Sequence, residues 1–328
     1  MKSTITPARF RLAIQTVFVV FNIYVGIRFA AFVAWATNKT DVFTPKPGAV
    51  EGFLPISALL GFRQWITTGL WDTVHPAGLT IFLALLVMAL LFRKGFCGYI
   101  CPIGFLSGLL DRAGRKMGLS RIPVKWVDYP LLSVKYLLTG FFLYTVFVSM
   151  GLASVQSFLG TPFNVVADAK MLAFFMSPSL LSLIIIAVLI IFTLIFRYAW
   201  CRYLCPYGAL LGALAFFSPT TVSRNEETCI DCGKCTRGCP GGIRVQQKKH
   251  VRSPECIGCA ECLGNCPVDG CLNVTVGGRY SVPWMMIGIG AVVTLLAFWG
   301  WARATGHWNA EMPAAMIKRF YSLFFTAG

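Results

Sequence analysis

Two cysteine runs constrain this chain more than any other feature: Cys229, Cys232, Cys235, Cys239-Pro240, then Cys256, Cys259, Cys262, Cys266-Pro267. Each reads C-x2-C-x2-C-x3-C-P, the spacing with which bacterial two-cluster segments hold a pair of [4Fe–4S] cubanes. Three thiolates two residues apart on a tight loop cap three iron atoms of one cubane. By the fourth cysteine the chain has turned away, so the last iron takes its ligand from the other run. The spacing therefore predicts one cluster on Cys229, Cys232, Cys235 and Cys266, and a second on Cys256, Cys259, Cys262 and Cys239. Zinc sites pair two short Cys or Cys/His spacings and do not give two four-cysteine runs each closed by proline. Cys271, the thirteenth cysteine, reads as a spare buried thiol.

The rest of the chain reads as membrane. Hydrophobic residues fill 56% of 328 positions and charged ones 13%, against about 25% charged in a soluble domain. Five apolar stretches stand out: Leu12 to Ala36, Ala77 to Phe92, Leu131 to Ala153, Leu180 to Phe196 and Pro283 to Trp301. A crossing needs about 17–25 apolar residues, so five spans are expected, the second and fourth near the short limit. The first stretch is too long for a cleaved signal and lacks a small-residue cleavage pattern.

Basic residues orient those spans. Residues 1–11, 93–135 and 197–282 carry 3, 8 and 10 Lys and Arg, whereas the alternate segments carry 7. Cationic loops stay in the cytoplasm, which predicts a multi-pass protein of the bacterial inner membrane. Its N-terminus and cysteine runs are cytoplasmic, its C-terminus is outside, and the tail from Met312 to Phe325 is amphipathic. The net charge of +16 is spread along the membrane border, which excludes a nucleic-acid partner and leaves lipid. Cluster thiolates also persist best in a reducing compartment.

The two halves repeat. Phe92-Arg93-Lys94-Gly95-Phe96-Cys97-Gly98-Tyr99-Ile100-Cys101-Pro102 aligns with Phe196-Arg197-Tyr198-Ala199-Trp200-Cys201-Arg202-Tyr203-Leu204-Cys205-Pro206 at a constant offset of 104 residues. Both C-x3-C-P copies follow the second helix of a two-helix unit, so the repeat is parallel, about an axis along the membrane normal. On a helix, residues i and i+4 share a face, so each copy is expected to present two sulfurs together. Cys97, Cys101, Cys201 and Cys205 are then a third metal centre, a set of redox dithiols, or ordinary buried cysteines. The segments are 1–115 and 116–222 for the two membrane repeats, 223–280 for the cluster domain, and 281–328 for a final span and outer tail. The fold class is a mainly α-helical polytopic membrane protein carrying an inserted, cytoplasmic, two-cluster ferredoxin-like α+β segment.

This layout resembles the membrane ferredoxins of the NapH/NosR/CcoG group, and among them the NapH-like quinol dehydrogenase component, over nearly the whole chain. The resemblance implies electron exchange between the membrane quinone pool and partner redox proteins of a respiratory complex. The chain departs from NosR in lacking a long N-terminal flavin-bearing domain, and from CcoG in lacking a large C-terminal soluble domain. A second reading is an assembly protein that binds and reduces copper at the C-x3-C-P cysteines, and a third is an anchoring subunit with structural clusters. The ten Met residues do not cluster, as a copper route would have them do.

A quinone site is harder to read. With His75, His250 and His307 the only histidines and none in mid-span, a haem held between helices by two histidines is excluded. His75, beside Asp72, is a candidate acceptor of a quinol proton; its competing reading is an interfacial histidine among belt aromatics. Arg28, an ionisable residue inside the first apolar stretch, is the other candidate, with snorkelling toward the interface as its alternative.

Overall fold

The computed structural model describes residues 5–326. The chain runs through α1 (Pro7–Ala36), α2 (Pro55–Thr68), α3 (Pro76–Phe92), α4 (Pro102–Lys116), α5 (Lys125–Tyr144), α6 (Leu152–Leu159), α7 (Pro162–Val165), α8 (Ala167–Met176), α9 (Leu180–Ile195) and α10 (Pro206–Phe216). Four short strands follow, β1 (Thr220–Arg224), β2 (His250–Val251), β3 (Leu272–Val276) and β4 (Tyr280–Val282), with the turns α11 (Lys234–Arg237) and α12 (Glu261–Gly264) between them. Helices α13 (Met285–Thr305) and α14 (Ala314–Thr326) close the chain. Proline opens α1, α2, α3, α4, α7 and α10, where its fixed φ suits the first turn and its missing N–H has no partner to lose.

Among the described residues, three helices are long and apolar enough to cross a membrane: Pro7–Ala36, Lys125–Ser149 and Met285–Thr305. Helices α8 and α9 pass the same test together but are bent by 79° at their junction. Helix α3, at 17 residues, is shorter. By length and composition the structure thus gives three spans, or four if the bent pair is one. The third apolar stretch also moves. Its helix begins at Lys125, tolerates Pro130 in its second turn, and continues as a π-helical turn over Thr145–Ser149.

Contacts divide the chain into two compact units. The first comprises Met1–Val19, Leu85–Thr139 and Ile186–Leu295. Its sheet has the order β2-β1-β3-β4, antiparallel throughout, with Val222 facing Val251 on one side and Val274 on the other. Val222, Val251 and Leu272 are buried with Ile243 and Val245 against Cys235, Cys239 and Cys262, so the strands form the apolar floor beneath the cysteine loops. Helix α4 approaches the end of α9 closely. A Cβ on Gly114 would collide with the Leu194 carbonyl oxygen, and Arg121 N–H donates to Ile195 O at 2.8 Å.

Arg11 ties this unit together. Its guanidinium is 1% exposed and donates to Gly98 O (2.9 Å), to Tyr198 Oη (3.0 Å) and to Glu261 (2.6 Å). One side chain thus holds the first C-x3-C-P motif, Tyr198 three residues ahead of Cys201, and the loop between Cys259 and Cys262.

The second unit comprises Val20–Ala84, Gly140–Ile185 and Leu296–Gly328. Its core gathers Val25, Phe29, Phe32 and Ala36 from α1 with Val165, Val166, Ala169 and Tyr321. Trp71 lies edge-on to Trp301 and to His307 at 5.6 and 4.6 Å, an aromatic group of the kind that anchors a membrane interface.

Removing the Arg11 charge leaves Glu261 without its buried partner, at a typical cost of about 3–5 kcal/mol. Arg11→Gln should therefore unfold several degrees below the wild type in a thermal melt in detergent. An unchanged midpoint would show that the three contacts are not cooperative.

Candidate functional site

The structure gathers the eight cysteines of the two runs around two hollows in the first unit. One, of about 330 Å³ including its open mouth, is lined by Cys229, Cys232, Cys235 and Cys266. The other, of about 360 Å³, is lined by Cys239, Cys256, Cys259 and Cys262. Each therefore takes three sulfurs from one run and the fourth from the other. The loops manage this with left-handed residues at matching positions, Asp231 and Gly233 in the first run, Gly258 and Ala260 in the second. Such a backbone curls the chain tightly around a central point. Cys271 lies in the wall of the first hollow, its thiol directed at Asn225 O at 3.8 Å.

The donor set fits a cubane better than a bare ion. Thiolates at about 2.3 Å from one zinc crowd together, whereas a cubane spreads its four ligands around a larger body. Among the described residues, no three Cys, His, Asp or Glu side chains converge closely enough to hold a single metal ion. Burial pushes the Cys239 thiol up to about 11; a bound cation would draw such a proton off.

The C-x3-C-P motifs are not the α-helical turns that i, i+4 spacing suggests. Phe96–Ile100 and Trp200–Leu204 are π-helical turns, closed by Cys101 N–H to Phe96 O and Cys205 N–H to Trp200 O, both 2.9 Å. Cys101 and Cys205 are extended, because a following proline disfavours helical geometry at the residue before it. Each second cysteine therefore becomes the N-cap of the next helix. The Cys205 sulfur accepts from Gly208 N–H at 3.2 Å.

All four thiols nevertheless share one neighbourhood and are only partly exposed. Burial, then Cys97, Cys201 and Cys205, push Cys101 well up. Burial, with Cys205 and Cys97 beside it, pushes Cys201 up to about 12. Ser107 Oγ from α4 lies 3.7 Å from Cys201 Sγ. Without Cβ, Gly104 avoids the Cys97 carbonyl oxygen, which an added methyl would meet at 2.5 Å.

Comparison with known proteins finds iron–sulfur family models in both membrane repeats and in the cysteine runs. A family model described as 4Fe-4S binding domain matches residues 74–120 and again 178–222, one copy on each repeat. A second, 4Fe-4S dicluster domain, matches residues 223–274. YccM of Escherichia coli (strain K12), which carries an electron-transport name, is 38% identical over 317 residues, covering 94% of this chain and 88% of that protein. The chain belongs to the NapH/NosR-type membrane ferredoxin family. The ferredoxin-type protein NapH of the same organism is 26% identical over 57% of this chain and 61% of its own length. Protein NirI of Paracoccus denitrificans is 29% identical over 67% of this chain but only 33% of its own length. No solved structure matches the chain. Membership makes this an iron–sulfur electron-transport protein of the membrane.

Within the first unit, the family's two kinds of cysteine motif are in close contact. A Cβ on Gly98, between Cys97 and Cys101, would stand 2.5 Å from the Ile257 carbonyl oxygen, next to Cys256. From the second motif, Arg202 donates to Gly241 O while its other nitrogens hold Asp128 at 3.1 and 2.7 Å. Ile257 and Gly241 both line the Cys239 hollow. Sequence reasoning missed the charges at this contact. Lys135 on α5 donates to both Glu255 oxygens at 2.8 and 2.7 Å, Tyr136 donates to Oε1 at 3.0 Å, and Lys94 lies 3.7 Å from Oε2. Burial would push Glu255 up, but Lys94 and Lys135 outweigh it and hold the carboxyl at about 2. The available signal was a lysine four residues into an apolar run.

His75 lies in the second unit and is buried within the protein. It is 1% exposed, with Nε2 2.9 Å from Asn164 O and Nδ1 3.4 Å from Glu51 Oε1. Asp72 Oδ1 accepts from its backbone N–H at 3.1 Å. Lys46 joins Glu51 (3.1 Å) and Asp168 (2.7 Å), and Tyr321 donates to Asp168 at 2.6 Å. Arg28 is not part of this network; it lies on the exposed face of α1. The network draws on separate segments, and only the Asp72-x2-His75 spacing hinted at it.

These charges set a pH dependence. Burial opposes a charged His75, but the hydrogen bond and charge of Glu51 outweigh it, with Asp168 adding, and the pKa is raised. Burial likewise raises Asp72, against the backbone N–H groups of His75 and Val74. Burial opposes ionised Glu51, but Lys46 and His75 overcome it and hold its pKa down. A raised folded pKa stabilises fully below the unfolded value, about 6.5 for His, and that contribution is lost as pH rises through the folded value. The melting midpoint in detergent should therefore fall as pH is raised from about 6.5, and His75→Gln should flatten that slope. A slope unchanged by His75→Gln would remove His75 as its source.

Proposed function

We propose that the chain is a membrane electron-transfer subunit, a quinol-dehydrogenase component, exchanging electrons between the quinone pool and partner redox proteins of a respiratory complex. The observation that carries the reading is the contact of both C-x3-C-P motifs with one four-cysteine hollow, through Gly98 at Ile257 and Arg202 at Gly241. Cys256, Cys259, Cys262 and Cys239 hold the cluster next to the motifs, and Cys229, Cys232, Cys235 and Cys266 hold the other. Cys97, Cys101, Cys201 and Cys205 form a third iron–sulfur centre, in keeping with the 4Fe-4S family model that matches both repeats. Bound clusters supply one-electron carriers; the chain's own work is to seat them in apolar surroundings and fix their order. The exposed Ile230 side chain, at the mouth of the Cys229 hollow, leaves that end open to a redox partner.

The topology belongs to the same reading. Helix α3 at 17 residues meets the lower limit for a span, and counted with α9 it restores five crossings. The excess of Lys and Arg then leaves the N-terminus and cluster domain cytoplasmic and the C-terminus outside. Reporter fusions after Pro45, Arg115, Asp168, His250 and Ala315 should read outside, inside, outside, inside, outside. A periplasmic signal at His250 would reverse the orientation.

Anaerobically purified protein should carry iron and labile sulfide, and Cys239→Ser should remove the same spectroscopic signal as Cys256→Ser while sparing that lost in Cys266→Ser. Zinc in place of iron would sink the ligation. Clusters reduced with dithionite, then freed of excess reductant, should reoxidise anaerobically faster in quinone-loaded proteoliposomes than in quinone-free ones. Equal rates would sink the quinone reading.

A further inference from the structure

Two buried ammonium groups share one carboxylate where the C-x3-C-P cysteines meet the Cys239 hollow. Lys135 is 0% exposed, Lys94 3%, and both converge on Glu255, which itself lines that hollow. Two ammonium groups and one carboxylate leave an excess positive charge out of water. Such a charge is costly unless an anion lies nearby.

The neighbours identify where that anion belongs. Lys94 stands three residues before Cys97 in the first motif, and Glu255, which both lysines hold, directly precedes Cys256. Helix α5 is held to the second motif by Thr139, whose hydroxyl donates to Pro206 O at 2.8 Å. Lys94 Nζ would stand 3.6 Å from a Cβ on Gly212 of α10, where the same Cβ would be 2.9 Å from Pro254 O. The ammonium pair is thus enclosed between the two motifs and the Pro254–Ile257 strap. The repeat does not duplicate it, since the position matching Lys94 is Tyr198, which pairs with Arg11. The Cys229 hollow has a cation of its own in Arg224, and no residue of its wall pairs with either lysine.

We propose that Lys94 and Lys135, bridged by Glu255, are positioning residues that raise the reduction potential of the iron–sulfur centres at this junction. The inference rests on the cluster ligation proposed above. A thiolate-ligated cubane is anionic and gains one further negative charge when it accepts an electron, so a fixed cation nearby favours the reduced form. The electron lost by a reductant stays on the cluster; no proton or bond is exchanged with Lys94, Lys135 or Glu255.

The test is an anaerobic redox titration of the intact protein in detergent, followed by electron paramagnetic resonance. Lys135→Gln should disfavour reduction of a centre at the junction by at least tenfold, about 59 mV downward for one electron. Glu255→Gln should shift it upward, and Lys135→Arg, which keeps the charge, should restore the wild-type potential. The cluster lost in Cys266→Ser should titrate unchanged in all three. Clusters present but unmoved in Lys135→Gln, or moved equally by Lys135→Arg, would overturn the inference alone. Wild-type protein without iron would overturn the cluster ligation and this inference with it.

Discussion

The first unit depends on the close approach of two backbones, Gly98 of the first C-x3-C-P motif and Ile257 of the second cysteine run. No side chain fits between them, since even a Cβ would lie 2.5 Å from the carbonyl oxygen. Glycine is needed here for space, at φ values any residue could adopt. Around that contact the chain places hydrogen bonds instead of apolar filler. Arg11 and Gln15 both donate to the Gly98 carbonyl, and Tyr99 Oη donates to Gly258 O at 3.3 Å. A cluster domain held only by apolar contact could slide; one held by directed donors to particular carbonyls cannot.

Arginines repeat that device in pseudo-symmetric pairs. Arg93 donates to Ser253 O at 2.6 Å, just ahead of Cys256, and Arg197, its equivalent 104 residues on, donates to Arg237 O at 2.6 Å, just ahead of Cys239. Each repeat thus secures the strand leading to one cysteine of the same hollow. Guanidinium suits the task because it stays charged when buried and offers several donors in a fixed plane. The duplicated motif therefore serves as a two-point mount for the cluster domain as well as a source of cysteines.

The second unit uses buried charge differently. Lys46, Glu51, Asp168 and His75 neutralise one another away from sulfur, closed by the Tyr321 hydroxyl. Ionisable groups enclosed in a membrane protein carry a large desolvation cost and persist when they pair or serve the chemistry. In this unit the pairing is extensive, and its dependence on protonation at His75 makes it sensitive to pH.

Sequence alone determined what is local and periodic. Cysteine spacing grouped the eight thiols because ligand geometry around a cubane is short-range. The 104-residue offset exposed the repeat because it preserves both motif and proline. Apolar runs located the helices, yet the third was misplaced where a helix begins at Lys125 and continues through Pro130, and the bend between α8 and α9 was not foreseen, since hydropathy does not encode helix direction. Tertiary structure decided everything that joins distant segments. The proline after each motif left the second cysteine extended at the end of a π-turn where spacing read α-helix, and His75 was buried beside Glu51. Lys135, counted only as a border charge, became the partner of Glu255, 120 residues away. Long-range pairs of buried charge leave no periodic trace, because their positions are set by how the helices stack, not by the residues beside them.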